Sequence, residues 1–225
     1  MEDNSVSVAY RCDKKYLYFL NNSIHSLVKH YNDTRKLKIY ITTNDDISEL
    51  PEVEKLKSKY DFDYSIIPIN ESFFENHKEL VEHKHLANRK FLGFRKEFHY
   101  SRNLEFNNTT RPYNPFGKSK ATQLATAFFI LSFKGKKILS IDTDTLIVSN
   151  IAELFDHDVS NYYCGACRDW VDYQTFSPSV FLCNVEKWHE VFFHENGLFN
   201  TFLRATSSSD FTKESFGDQV QHATN

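Results

Sequence analysis

The chain has 225 residues, 40% of them hydrophobic and 25% charged, with a formal net charge of −3. That length suits one α/β domain with a real core and argues against a second full one, while the near-neutral balance excludes a general attraction to nucleic acid or to an acidic membrane surface. The four cysteines form no dense framework, so reduced thiols are expected.

The start, Met1-Glu-Asp-Asn-Ser5, is polar and acidic and lacks the basic and apolar regions of a signal peptide. No apolar run approaches the ~20 residues that a membrane span needs. A soluble protein of the cytoplasm is therefore expected. The first β-rich run is Ser5-Val-Ser-Val-Ala-Tyr10. Over residues 16–31, Leu17, Leu20, Ile24, Leu27, Val28 and Tyr31 recur at helical spacing. Leu37-Lys-Ile-Tyr-Ile-Thr42 predicts a second strand. A helix is predicted over about 47–60, where Pro51 is tolerable only near the first turn. A third strand is predicted over 62–69. Strand and helix in alternation are the signature of a parallel sheet with crossover helices.

Residues 71–117 break this pattern: they carry four of the ten histidines and the basic, aromatic-studded Arg89-Lys-Phe-Leu-Gly-Phe-Arg-Lys96. They are too long for a plain connection, so either a functional excursion or a poorly ordered segment is expected. Regular structure resumes with an apolar helix predicted over about 118–133, then the strand Lys137-Ile-Leu-Ser-Ile141. A further strand is predicted at 145–148 and a short helix around 151–155. Strands over about 162–167 and 179–185 precede a helix through Trp188.

The strand from Lys137 runs straight into Asp142-Thr143-Asp144. Ionised groups at the end of an apolar strand must be solvated, paired or bound to metal. Ligands of open α/β sheets bind at the carboxyl ends of strands. Two aspartates two residues apart there can share a hard cation whose other positions go to phosphate oxygens. The alternative is a turn whose aspartates cap the following segment.

Lys137-Ile-Leu-Ser-Ile-Asp-Thr-Asp-Thr-Leu-Ile-Val148 resembles the metal-binding segment of glycosyltransferase family 8. Further blocks of that family are matched in order. Val8-Ala-Tyr-Arg-Cys-Asp-Lys-Lys-Tyr16 resembles its opening strand and uridine turn. Gly165-Ala-Cys-Arg-Asp169, Phe176-Ser-Pro-Ser-Val-Phe-Leu-Cys-Asn-Val-Glu-Lys-Trp188 and Gly217-Asp-Gln219 resemble its later blocks. The resemblance implies a GT-A-type α/β fold, with a mostly parallel sheet flanked by helices. The activity it implies is metal-dependent transfer of a hexosyl group from a UDP-sugar to an acceptor hydroxyl, with retention of anomeric configuration.

Site roles follow from the same resemblance. Asp13 would accept a hydrogen bond from the uracil edge, and Tyr16 would stack on the base. Ala9, small and at the strand end, would admit the nucleotide. Asp142 would contact the ribose or the metal, with Thr143 beside it, and Asp144 would be the principal ligand of Mn²⁺ or Mg²⁺. Asp169 would hold sugar hydroxyls, with Asp218 and Gln219 at the anomeric carbon. The residues themselves leave alternatives open: Asp13 as a helix N-cap, and Tyr16 as an ordinary core aromatic. The partners implied are a UDP-sugar and a carbohydrate or glycoconjugate acceptor, without nucleic acid or a transmembrane segment, and compatible with peripheral membrane association.

Departures from the family pattern are local. Ser177-Pro178-Ser179 replaces Asn-Ser/Ala-Gly, and Lys15 replaces a smaller polar residue. The family's late His-x-x-Gly-x-x-Lys-Pro-Trp segment has no counterpart before Asn225. A truncated C-terminus and slow turnover are therefore expected, with a nucleotide-sugar-binding protein as the alternative function. Two other candidates are weaker: a zinc site from Cys164, Cys167, Cys183 and His157, and RNA binding by the stretch from Arg89 to Arg102.

Overall fold

A computed structural model of the chain describes residues 5–43, 45–77, 129–168 and 176–193. Most of the 71–117 excursion, and Asp169, Asp218 and Gln219, lie outside the described residues.

Strand β1 (Ser5–Arg11) has both faces covered from Val6 to Tyr10, which is why it reads as a near-continuous apolar run. After a 3₁₀ turn at Lys14–Tyr16, helix α1 (Leu17–His30) buries Leu20, Ile24, Leu27 and Val28, the face that its 3.6-residue period anticipates. Strand β2 (Lys36–Thr43) buries Leu37, Ile39 and Ile41 in alternation. Helix α2 is confined to Pro51–Lys57 rather than spanning 47–60. Its proline bars the residue before it from helical geometry, and Leu50 accordingly has φ −132° and ψ 78°. Ile47 and Leu50 still reach the core, from an extended approach. Strand β3 (Phe62–Pro68) and helix α3 (Glu71–Asn76) follow, the latter capped by Asn70, whose side chain accepts from the Phe73 amide at 3.1 Å.

The predicted helix over 118–133 is described only from 129, and it is helical to 132. Strand β4 (Lys137–Asp142) is fully formed and includes the first aspartate. A 3₁₀ helix (Ile151–Asp156), strands β5 (Cys164–Arg168) and β6 (Phe176–Asn184) and helix α4 (Val185–Phe193) complete the described chain.

The strand predicted at 145–148 does not form. The Thr145 amide donates to the Asp142 carbonyl at 3.2 Å, closing a turn, and the Ile147 amide donates to Ser26 Oγ at 2.9 Å. Ile147 alone of the apolar trio is buried, while Leu146 and Val148 are 67% and 81% exposed. The apolar run for which a strand was predicted is thus a turn anchored to α1.

All six strands form one sheet in the order β3-β2-β1-β4-β6-β5. The β3-β2-β1-β4 part is parallel, whereas β6 pairs antiparallel with both β4 and β5. The chain builds outward from β1 to β3, then crosses back to lay β4 on the other flank of β1. The gap between β1 and β4 is therefore the topological switch point, where open α/β sheets bind ligands.

At the opposite end of the sheet, Arg35 ties the entry of β2 to the 3₁₀ helix. Its guanidinium donates to both Asp33 carboxylate oxygens at 2.9 Å, to Asp156 at 2.9 Å and to the Ala152 carbonyl at 3.0 Å. These hydrogen bonds from Arg35 pull the Asp33 carboxyl from 3.8 down to about 2. A depressed carboxylate stabilises the fold above its unfolded-state pKa and loses that contribution as pH falls through the folded value. Asp33→Asn should therefore lower the denaturant midpoint near pH ~5, with the gap to wild type closing as pH falls to ~2. An unchanged gap across that window would remove Asp33 from the acid stability of the fold. Among the described residues no helix is long and apolar enough to cross a membrane.

Candidate active site

Three parallel strand ends and one turn converge on the switch point. Arg11 closes β1, Thr43 closes β2 and Asp142 closes β4. The segment after β1 is locked to the end of β2. The Cys12 amide donates to the Thr42 carbonyl at 2.9 Å, the Lys14 amide to Asp45 Oδ2 at 2.8 Å, and Thr42 Oγ1 to the Tyr10 carbonyl at 3.0 Å. Thr43 Oγ1 in turn accepts from the Asp45 amide at 3.0 Å, which orients that buried carboxylate.

Asp13 sits in this locked segment and serves as N-cap, its Oδ1 accepting from the Lys15 amide at 2.9 Å. The capping alternative is thus observed, and it fixes the direction of the carboxylate at the mouth of the sheet. Tyr16 is 45% exposed, so it is not a core aromatic, and its ring centroid lies 5.8 Å from that of Phe19. Ala9 requires a correction. β1 continues two residues beyond it, and Ala9 is fully buried between β2 and β4. The residue at the strand end is Arg11.

Asp142 and Asp144 separate into different environments. Asp142 is the cross-strand partner of Arg11, and Arg11 Nε and Nη2 both reach Asp142 Oδ1 at 2.8 Å. Thr143 is buried, and Asp144 is exposed in the turn that the Asp142 carbonyl closes. Among the described residues no three His, Cys, Asp or Glu side chains gather as a metal cage. The donor set present is hard carboxylate oxygen at a strand's carboxyl end. That suits Mg²⁺ or Mn²⁺ shared with phosphate oxygens and water, rather than a metal enclosed by protein alone.

The zinc candidate is not assembled. Cys164 and Cys183 face each other across β5 and β6, but Cys167 and His157 are exposed and no cluster forms among the described residues. Burial pushes the Cys164 thiol up to about 12 and raises that of Cys183. Cys12, beside the site, is likewise pushed up to about 12, by burial and then by the negative Asp13 and Asp45. The basic stretch from Arg89 to Arg102 lies outside the described residues.

The sequence profile of glycosyl transferase family 8 matches residues 7–197. The chain belongs to glycosyl transferase family 8. A Haemophilus influenzae protein named "Putative glycosyltransferase" is 26% identical over 204 residues, covering 83% of this chain and 50% of its own length. The chain thus spans about half the length of that curated family relative. Among solved structures, Streptococcus pneumoniae glycosyltransferase GlyE superposes with a TM-score of 0.60 at 17% identity, over 97% of this chain and 42% of that one. The galactosyltransferase LgtC, solved with donor and acceptor sugar analogs, gives 0.55 at 16%, over 98% of this chain and 69% of that one. Mouse xyloside xylosyltransferase 1 gives 0.57 at 13%, over 96% and 79%. These likenesses establish the GT-A fold of the family 8 domain.

Arg11 and Asp45 are the site residues that sequence inspection missed. A basic residue closing a buried strand, two positions before Asp13, is the signal that could have drawn attention to Arg11.

Proposed function

We propose that this family 8 chain transfers a hexosyl group from a UDP-sugar to an acceptor hydroxyl, with a divalent cation and with retention of anomeric configuration. The observation that carries the proposal is that β4 delivers Asp142-Thr143-Asp144 to the switch point beside β1, with Asp144 exposed there.

Asp144 supplies the carboxylate open to a cation, and Asp142 is turned toward Arg11. Asp13, held by its capping bond, is directed to read the uracil N–H, while the exposed face of Tyr16 offers a stacking surface for the base. The buried Asp45 and the Thr42–Cys12 bond keep that segment rigid, so little ordering remains to be done when the nucleotide binds. A bound cation supplies Lewis-acid neutralisation of charge on the leaving diphosphate. By family resemblance, Asp169 holds sugar hydroxyls, and Asp218 and Gln219 stand at the anomeric carbon.

Two measurements test the proposal. In calorimetry, UDP should bind in a Mn²⁺-dependent manner and more tightly than CDP, by about 1.5–3 kcal/mol, because the cytosine nitrogen facing Asp13 is an acceptor. Equal affinities would remove Asp13 from the base site. Release of UDP from UDP-hexose without acceptor reads turnover directly. Binding without that release would make the chain a nucleotide-sugar-binding protein, and neither binding nor release would overturn the functional assignment.

A further inference from the structure

Cys164 and Cys183 take no part in the proposed transfer reaction, yet the sheet sets them directly opposite each other on β5 and β6. The Asn184 amide donates to the Tyr163 carbonyl at 2.9 Å. In the same register Tyr163 lies opposite Asn184, so theirs is a hydrogen-bonded pair. The next pair along, Cys164 with Cys183, is then a non-hydrogen-bonded one. Opposite residues of antiparallel strands project to one face, and a non-hydrogen-bonded pair brings its Cα atoms to about 4.5 Å. That separation falls within the range a disulfide spans, about 4.4–6.8 Å between Cα atoms. The two groups also sense each other, since the Cys183 thiol is raised by burial and further by the negative form of Cys164. Both are free thiols, Cys164 partly exposed on the outer strand of the sheet and Cys183 buried between β4 and β5.

We propose that Cys164 and Cys183 form a thiol-modification site, a dithiol that a low-molecular-weight disulfide such as oxidised glutathione converts to a β5–β6 bridge. Cys164, as thiolate, attacks one sulfur of the oxidant, forms a mixed disulfide and expels one glutathione thiolate. Cys183, as thiolate, then attacks the Cys164 sulfur, the mixed bond breaks and the second glutathione thiolate leaves. Two protein thiols are oxidised to one disulfide, and one molecule of oxidant is reduced to two thiols. The protons lost by the cysteines end on those two products. The bridge ties the outer strand to β6 and closes a loop of about 20 residues, which restricts the unfolded chain. Exposed Cys167 lies at the bulge, outside the paired register, so it stops at the mixed disulfide. The inference is independent of the transfer reaction.

The test treats the folded full chain with oxidised glutathione, then alkylates, digests and maps the peptides by mass spectrometry. The expected product is a Cys164–Cys183 cross-linked peptide pair that dithiothreitol reverses, while Cys167 carries glutathione. The same treatment in urea should favour a bridge between Cys164 and Cys167 instead, because short loops close most readily in an unfolded chain. The bridged protein should melt about 5 °C higher than the reduced one. That rise should vanish in Cys183→Ala and persist in Cys167→Ser. If Cys183→Ala fails to fold, the wild-type peptide map decides alone. The inference is overturned if no Cys164–Cys183 bridge forms once Cys167 is fully glutathionylated, or if the folded chain bridges Cys164 to Cys167. A bridged protein that melts no higher than the reduced one overturns it as well.

Discussion

Asp144→Asn is expected to lower UDP-hexose turnover about 10²–10³-fold, the usual loss when one preorganised electrostatic contact to developing charge is removed. Asp144 is exposed in the turn after β4, and the substitution preserves its shape while deleting its charge. The fold should not respond, since exposed positions free of buried networks typically change stability by less than about 0.5 kcal/mol. Rate and stability are thereby separated. Mn²⁺ titrations of UDP release at saturating donor provide the check. A deficit that high Mn²⁺ restores would confine Asp144 to capturing the cation. A deficit that persists would place the carboxylate in stabilising the departing diphosphate. Normal turnover at ordinary Mn²⁺ would remove Asp144 from the site.

The largest loss of stability is expected from Trp188→Ala, about 3–5 kcal/mol for truncating a buried tryptophan. Trp188 is fully buried on α4, stacked on Phe181 of β6 with centroids 6.0 Å apart and near Tyr163 at 6.3 Å. The helix follows β6 without a loop, and its first amide, that of Val185, donates to the Lys136 carbonyl at 2.9 Å just before β4. Trp188 therefore clamps the antiparallel β5–β6 flank at the base of the strand that carries the aspartates. A fall in Tm on the order of 10 °C is expected in thermal denaturation, with Trp188→Phe recovering much of it. Below the transition, UDP binding should survive, because the indole lies beside β6 and not at the switch point. A Tm within about 2 °C of wild type would show that the flank collapses to fill the cavity.

The elements that could be read directly were those with a strong period. Leu20, Ile24, Leu27 and Val28 repeat at helical spacing, and each is buried on α1. β1 and β4 are short apolar runs because their residues are buried on both faces of the sheet. The two aspartates stood out for the same reason, as charge abruptly ending such a run. Errors arose where a local pattern had two structural solutions. Thr145-Leu-Ile-Val148 is a short apolar run like a strand, but the Asp142 carbonyl and Ser26 Oγ accept from its Thr145 and Ile147 amides. The approach to α2 carries helical apolar spacing, but Pro51 forbids the helix from starting earlier.

Local sequence pattern therefore determined β1 to β4, the buried face of α1 and the position of the acidic pair, because each depends on residues a few places apart. Only the tertiary structure decided that β4 lies beside β1. That neighbour relation brings Arg11 onto Asp142 across 131 positions of sequence and divides two aspartates that look equivalent in the chain. Strand order is set by which apolar faces can be covered together and by how crossovers pack. A charge pair created by that order leaves no trace in the local pattern of either strand.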